Sequence, residues 1–364
     1  MVLPHGYPFE EHEVTTEDGY ILTVYRIPYG KNTTVPGPRP PLLLQHGILC
    51  SSAAWVLSEP DKGLGFILAD AGYDVWMSNS RGNTYSQKHK TLDPDKQGKE
   101  YWNFSFHEMG YYDLPAVIDF MLAKTNHSQI YYVGHSQGTT QFYAMAATRP
   151  EYNAKVKVMS SLAPIAFLQH TRGTVRVLTY ISNTLKWFAE RLHIYHVLND
   201  NFFLHLLDQA ICRKTAITRP LCDNLLFLIA GYDSQQLNIS LVPLIADHTP
   251  AGASIKQLIH FGQLANNDGR FSQYDYGKSL NMKMYNTELP PEYDLTKITT
   301  PVMLHYADND WLSSEEDVSA LNKKLPNSKM VEVPFAYFNH LDFMWAIDIN
   351  PLLYDKVIEL LKQF

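Results

Sequence analysis

Short apolar runs alternate with helical patterns along much of this chain. The runs are nearly continuous, as expected for strands buried on both faces of a parallel sheet. They cover residues 42–45, 73–77, 130–133, 156–162, 302–306 and 330–333. Helical patterns separate several of them, and Asp113 is suited to the N-cap of one such helix. Near the start, Asp18-Gly19 lies between two strand-like segments and predicts an antiparallel hairpin. The alternation predicts an α/β fold around a mostly parallel, doubly wound sheet.

One long segment departs from this alternation. Between residues 165 and 294 the strand signal fades, and apolar residues recur at intervals of three or four. Their face comprises Val177, Ile181, Leu185, Phe188, Leu192 and Tyr195, and continues with Phe202, Phe203, Leu206 and Leu207. We therefore expect a mainly helical cap at 165–294, inserted into an α/β core that comprises 1–164 and 295–364.

A glycine-flanked serine follows one of the predicted strands. Gly134-His135-Ser136-Gln137-Gly138 comes directly after an apolar run and before a helical pattern. Glycines on both sides of a serine let the backbone turn sharply from strand to helix, which exposes the hydroxyl above the sheet. The pentapeptide alone is a weak signal because it also arises by chance. Its position between a strand and a helix predicts that Ser136 is a nucleophile.

A nucleophilic serine needs a histidine to take its proton and a carboxylate to orient that histidine. In folds with this strand–serine–helix turn, the acid and then the histidine follow on loops after later strands. Asp308 and Asp310 both lie on the loop after residues 302–306, and position alone does not choose between them. His340 follows the next predicted strand, ahead of a helical segment in which Asp342 is a candidate N-cap.

Acyl transfer by a serine also requires backbone N–H donors for the developing oxyanion. One donor is the residue after the nucleophile, which is Gln137 here. The second comes from the loop after an early strand, where His46-Gly47-Ile48 places a glycine at the point of close approach. We expect the amides of Gln137 and Ile48 to form the oxyanion hole, and His46 to brace its loop.

Motifs along nearly the whole chain resemble the acid lipase family, the gastric and lysosomal lipases with their invertebrate relatives. The most specific is the stretch at 134–140, which reads Gly-His-Ser-Gln-Gly-Thr-Thr as the family does. Other matching stretches are residues 6–8, 11–20, 45–47, 79–83, 309–312 and 339–343. The resemblance implies an α/β-hydrolase fold and selects Asp310 as the acid of a Ser136, Asp310, His340 triad. One departure is Ile48, where the family usually has leucine.

Composition agrees with a single enzyme of this kind. The chain has 364 residues, of which 45% are hydrophobic, and this is sufficient for a large core. Its formal charge of −7 provides no basic field for nucleic acid. The sequence has no phosphate-binding loop, dinucleotide fingerprint, Cys/His metal motif or apolar run of membrane-spanning length. We therefore expect neither a nucleic acid partner nor a transmembrane segment.

Signals for the cellular location are weaker. The first residues lack the charged start and apolar stretch of a signal peptide, so a cytosolic protein and one beginning at a mature N-terminus both fit. Four N-glycosylation sequons, at Asn32, Asn103, Asn126 and Asn238, favour the secretory route. Resemblance to a secreted and lysosomal family favours the same route, and we expect a secreted or lysosomal protein.

The cap also contains two of the three cysteines. We hypothesise a disulfide between Cys212 and Cys222, with Cys50 buried and free, while three reduced thiols are the alternative. Residues 199–223 are the candidate for a movable lid that opens at a lipid surface. For most apolar residues of the cap, packing into the cap's own core is the expected role.

Taken together, the sequence predicts a serine ester hydrolase that acts on neutral lipids at an oil–water or micelle interface, with triacylglycerol and sterol esters as candidates. The mechanism requires no cofactor and no metal. A carboxylesterase for short esters would use the same triad, and a non-enzymatic lipid carrier on the same scaffold is a second alternative. Periodicity does not reveal the pocket, so acyl and alcohol preference, pH optimum and oligomeric state stay open.

Overall fold

A computed structural model describes residues 1–33, 37–180, 182–197, 231, 233 and 235–364. Within them the strands are β1 (Glu10–Thr15), β2 (Tyr20–Ile27), β3 (Pro41–Gln45), β4 (Asp74–Ser78), β5 (Lys88–His89), β6 (Ile130–His135), β7 (Val156–Leu162), β8 (His196–Val197), β9 (Ala253–Ser254), β10 (Val302–Tyr306) and β11 (Ser328–Glu332). In the described residues, nine strands form one sheet in the order β1-β2-β4-β3-β6-β7-β10-β11, with β5 beside β2. The pairs β1–β2 and β2–β4 are antiparallel, and the pairs from β4 to β11 are parallel. Both the parallel sheet and the hairpin are therefore confirmed.

The described residues contain thirteen α-helices. They are α1 (Leu64–Asp70), α2 (Gly98–Tyr101), α3 (Phe106–Glu108), α4 (Leu114–Thr125), α5 (Gln137–Thr148), α6 (Gly173–Tyr180), α7 (Ser182–Leu192), α8 (Val242–His248), α9 (Ile255–Ala265), α10 (Lys278–Tyr285), α11 (Glu315–Lys324), α12 (Asp342–Trp345) and α13 (Asp355–Leu361). Successive residues of β3 point to opposite faces. Leu43 packs in one core with residues of α4 and α5, whereas Leu42 and Leu44 pack in a second core with α1 and α13. Because both faces are buried, the strands read as continuous apolar runs.

The capping role predicted for the Asp113 side chain is wrong, although α4 begins directly after this residue, at Leu114. Helical turns begin earlier, at α3, and continue through a π-helical turn at Met109–Asp113 into α4. Ser105 is the cap: its hydroxyl accepts the His107 amide, and its own amide donates to the Glu108 carboxylate at 2.6 Å. The Asp113 carboxylate instead accepts Arg81 Nε at 2.8 Å and the Arg81 amide at 3.2 Å. The buried Arg81 guanidinium therefore binds the Asp113 carboxylate that the local sequence predicts to cap the helix.

Helices dominate the described part of the segment between β7 and β10, as predicted. The apolar face predicted there is not packed as expected, because Val177, Phe188 and Leu192 are 62%, 50% and 62% exposed. The expectation that such residues form the cap's own core is therefore wrong for these three side chains. Ile181, residues 202–207 and the candidate lid at 199–223 lie outside the described residues. The boundaries of the cap stay a prediction.

The cysteines and the sequon asparagines lie in different environments. Cys50 is buried and free among the described residues, as expected, whereas Cys212 and Cys222 lie outside them. Three of the sequon asparagines, Asn32, Asn103 and Asn126, are exposed, while Asn238 is half-buried. Within the described ranges, no helix is both long and apolar enough to cross a membrane.

Candidate active site

Ser136 occupies the turn between β6 and α5 in a strained backbone conformation. Its φ of 53° and ψ of −120° lie in a region that residues with a side chain rarely adopt. The flanking glycines permit this turn because there is no room for a side chain at either position. A Cβ at Gly134 would lie 2.9 Å from the carbonyl carbon and oxygen of Gly138, and one at Gly138 would lie 2.3 Å from the Gln45 carbonyl oxygen. The strand, the turn and the helix are therefore in direct backbone contact.

The three residues predicted as a triad meet in one place. Ser136 Oγ lies 2.9 Å from His340 Nε2, and His340 Nδ1 lies 2.8 and 3.0 Å from the two carboxylate oxygens of Asp310. All three side chains are buried. Asp308, the alternative acid, is exposed in the turn before Asp310. With Nδ1–H donating to Asp310, the lone pair of Nε2 is left to accept the serine proton.

The carboxylate of Asp310 is fixed by its own loop. Its Oδ1 accepts the amides of Leu312 and Ser313, at 2.9 and 2.8 Å. Ser313 is anchored in turn, because its hydroxyl donates to the Pro164 carbonyl at 2.7 Å. Residues after β10 and residues after β7 thus hold the acid in the orientation that meets the imidazole.

The expected oxyanion donors lie on the two segments that adjoin Ser136. Gln137 is the first residue of α5, and the first amides of a helix have no acceptor within the helix. The loop that carries Ile48 touches the nucleophile, because a Cβ at Gly47 would lie 3.1 Å from Ser136 Cβ. His46 braces this loop as expected: Nδ1–H donates to the Gly47 carbonyl at 2.7 Å, and Nε2 accepts the Ser80 amide at 3.1 Å. Burial lowers the pKa of His46 to about 4, so the ring stays neutral.

His135 has a positional role that the sequence did not reveal. Its Nε2–H donates to the His340 carbonyl at 3.1 Å, and the two imidazole rings lie 5.0 Å apart. Burial holds the pKa of His135 well below the usual histidine range, so it remains a neutral donor. Only its place beside the nucleophile pointed to any contact with the site.

The helix cap predicted at Asp342 is also wrong. Asn339 is the capping residue, since its Oδ1 accepts the amides of Leu341 and Asp342, at 2.8 and 3.2 Å. The Asp342 carboxylate accepts the Asn339 amide at 2.7 Å, which completes a reciprocal cap around His340. The spacing of an N-cap residue and an acid three positions later was the signal in the sequence.

In the part of the chain that the structure describes, no group of three or more His, Cys, Asp or Glu side chains is arranged to hold a metal ion.

The fold and the serine turn define the chain as an α/β hydrolase. Two family models agree: the partial alpha/beta-hydrolase lipase region matches residues 1–59, and the alpha/beta hydrolase fold matches residues 40–192.

Full-length relatives define the family more narrowly. Gastric triacylglycerol lipases of Rattus norvegicus and Homo sapiens are each 41% identical to this chain and cover all of it, with 91% and 90% of their own lengths matched. Lipase 3 of Drosophila melanogaster is 42% identical over 99% of this chain and 91% of its own. The chain belongs to the acid lipase family that its motifs resemble.

Solved structures support the fold alone, because their sequences are distant. A structure from Sulfolobus solfataricus has a TM-score of 0.61 at 13% identity, covering 97% of this chain and 99% of that one. An esterase from Exiguobacterium antarcticum has a TM-score of 0.53 at 13% identity, covering 97% of this chain and all of that one.

Proposed function

We propose that this protein is a lipase that hydrolyses the carboxylic ester bonds of neutral lipids. The observation that carries this proposal is the unbroken hydrogen-bond chain from Ser136 through His340 to Asp310. Relatives named gastric triacylglycerol lipases support triacylglycerol as the substrate class. Sterol esters are compatible with the same chemistry.

In the proposed mechanism, Ser136 Oγ attacks the ester carbonyl while His340 Nε2 takes its proton. Asp310 keeps the imidazole in the required tautomer and stabilises the imidazolium that forms. The amides of Gln137 and Ile48 donate to the oxyanion of the tetrahedral intermediate. His340 then protonates the leaving alcohol, and a water molecule activated by His340 cleaves the acyl-enzyme.

The cap is the proposed site of contact with lipid, and we place it at residues 165–294. The exposed apolar side chains of α6 and α7 support contact with a droplet or micelle, because extended apolar surface is otherwise avoided. A lid at 199–223 and a Cys212–Cys222 disulfide remain part of this proposal. A secreted or lysosomal location and occupied sequons fit the relatives' gastric origin.

The first test replaces the nucleophile. Ser136→Ala should lower kcat on an emulsified triacylglycerol by a factor on the order of 10⁵, because no other group forms the acyl-enzyme. The matched control is Ser279→Ala, at an exposed serine of α10, which should retain normal turnover. Both variants should unfold cooperatively at a temperature close to that of the parent protein. Residual hydrolysis above about 1% in a well-folded Ser136→Ala variant would reject the mechanism.

The second test concerns the substrate. We expect a higher rate on emulsified long-chain triacylglycerol than on a dissolved short-chain ester at equal ester concentration. The reverse ratio, with Ser136 still essential, would identify a carboxylesterase instead. A folded protein that hydrolyses neither ester and leaves Ser136 unlabelled by an alkyl phosphonate would support the lipid carrier.

A further inference from the structure

Two buried carboxyl groups meet beside the loop that carries His340. Asp342 begins α12 and is 4% exposed. Asp233 lies shortly before Gln235 and Gln236 and is 1% exposed. The two carboxyl groups face each other closely enough for one to donate a hydrogen bond to the other if it carries a proton. They come from segments more than a hundred positions apart in the sequence, so no local pattern announces the pair.

Two of the four carboxyl oxygens accept backbone hydrogen bonds in this arrangement. Asp342 Oδ2 accepts the Asn339 amide, and Asp233 Oδ1 accepts the amides of Gln235 and Gln236, at 2.7 and 3.1 Å. Asp233 Oδ2 is fully buried and has no hydrogen-bond donor among the described residues. Two ionised carboxylates only accept hydrogen bonds, so this oxygen would remain unpaired beside a like charge. A proton on Asp342 supplies the missing donor.

The electrostatic surroundings favour that proton. Asp233 and Asp310 both act on Asp342, and both are acidic. The nearby imidazoles do not neutralise the pair, because His340 Nδ1 faces Asp310, and neutral His135 donates to the His340 carbonyl. Burial, together with the charge of Asp233, raises the pKa of Asp342 to about 8.

The pair lies where the chain around Asp233 is hydrogen-bonded to the loop that carries His340 and to the residues after α12. Asn339 Nδ2 donates to the Gly231 carbonyl at 3.0 Å, and the Ile347 amide donates to the Gln236 carbonyl at 3.0 Å. The Asp348 amide donates to Gln236 Oε1 at 2.9 Å. Asn339 therefore caps the loop around His340 and also binds the chain at Gly231. A disturbance at Asp342 reaches His340 through this residue.

We propose that Asp342 carries a proton that it shares with Asp233 Oδ2, and that the two residues act as a positioning pair that holds the His340 loop against the chain around Asp233. The effect on turnover rests on the proposed role of His340 as general base. When the pair releases its proton to solvent, two buried negative charges face each other and repel. The reciprocal cap between Asn339 and Asp342 then loosens, and the imidazole loses its alignment with Ser136. Activity should therefore fall on the alkaline side as the pair ionises.

The decisive variant is Asp342→Asn, which imitates the protonated state. Its amide NH₂ can donate to Asp233 Oδ2, while its carbonyl oxygen still accepts the Asn339 amide. We expect kcat/KM of the parent on a dissolved short-chain ester to fall above about pH 8, relative to its own maximum. In Asp342→Asn the midpoint of that fall should move up by at least about one pH unit. Asp308→Asn, at an exposed carboxylate of the neighbouring turn, should keep the parental midpoint.

A second measurement follows the proton without using activity. Infrared spectra of the parent at pH 7 should contain a protonated-carboxyl band that disappears as the pH rises past about 8. Asp342→Asn should lack that band, and Asp308→Asn should retain it. The proposal of a shared proton would be overturned if folded Asp342→Asn kept the alkaline midpoint of the parent, or if its carboxyl band were identical to that of the parent. Because the band is independent of turnover, an inactive parent would reject the proposed function and still leave this inference decidable.

Discussion

The catalytic core and the cap place similar apolar sequences in opposite environments. On α5, directly behind Ser136, the apolar side chains of Phe142 and Met145 are completely buried. On α6 and α7 of the cap, apolar side chains are half or more exposed: Val177, Tyr180, Trp187, Phe188 and Leu192. Both regions show helical apolar periodicity, but α5 packs that face against the sheet, whereas these described side chains of α6 and α7 are largely in solvent. The difference teaches that packing fixes the geometry for chemistry in the core, whereas the same periodicity in α6 and α7 leaves the apolar surface that we propose to contact lipid.

The largest expected effect breaks the core side of this comparison. Asp310→Asn should lower kcat by about 10⁴, because an amide at this position favours the wrong imidazole tautomer and no longer stabilises the imidazolium. Stability should change little, since the shape of the side chain is retained. The pH–rate profile and the melting temperature of the variant are the measurements. Asp308→Asn serves as the matched control, and a kcat within tenfold of the parent for Asp310→Asn would contradict the triad.

A smaller effect concerns the pH dependence of stability. The pKa of Asp342 is raised to about 8 in the folded protein, from an ordinary value near 3.8, so between these values the folded state keeps a proton that the unfolded state releases. The parent should therefore lose stability as pH rises through this window, by at most about 1.4 kcal/mol per pH unit. Asp342→Asn has no such proton.

The expected result is a melting-temperature difference between Asp342→Asn and the parent that is small near pH 4 and largest near pH 8. Thermal unfolding at half-unit pH intervals measures it. A constant difference across that range would mean that Asp342 is ionised in the folded protein throughout.

A methyl group at the turn tests how tightly the core is packed. In Gly138→Ala the new Cβ would lie 2.3 Å from the Gln45 carbonyl oxygen and 3.0 Å from that of His46, so β3 and α5 must separate. We expect a loss of about 1–3 kcal/mol in the free energy of unfolding, despite the better helix propensity of alanine. Gly37→Ala is the control, because the corresponding Cβ meets nothing within 4 Å. Equal denaturation midpoints for the two variants would show that the contact relaxes without cost.

The sheet, the hairpin and the serine turn could be predicted from the sequence because they depend on local signals. Continuous apolar runs mark buried strands, and the glycines around Ser136 mark a turn that side chains would obstruct. Asp310 required the family resemblance, since Asp308 follows the same strand. The two capping errors have different origins. At Asp113 a distant partner, Arg81, binds the carboxylate, whereas at Asp342 the neighbouring Asn339 is the cap and the Asp342 carboxylate accepts its amide in return.

The prediction for the cap fails for a different reason. Periodicity predicts an apolar face without indicating what covers it. Val177, Phe188 and Leu192 follow the helical repeat that typically marks a packed surface, yet they are exposed. Nothing in a single sequence separates a face that packs inside the protein from one that meets a lipid surface. That distinction depends on whether another element of the chain lies within reach.

The smallest expected effect probes this exposed face directly. Phe188→Ser should change the free energy of unfolding by less than about 0.5 kcal/mol, because half of the side chain is already in water. Activity on emulsified triacylglycerol should fall several-fold, while activity on a dissolved short-chain ester stays at the parental level. Tyr29→Ser is the matched control: Tyr29 is similarly exposed, at 44%, but lies on the core after β2, so its substitution should leave the ratio of the two activities unchanged. If Phe188→Ser destabilises the protein by about 3 kcal/mol, as expected for a buried phenylalanine, the side chain is packed and the contrast between core and cap fails at this position.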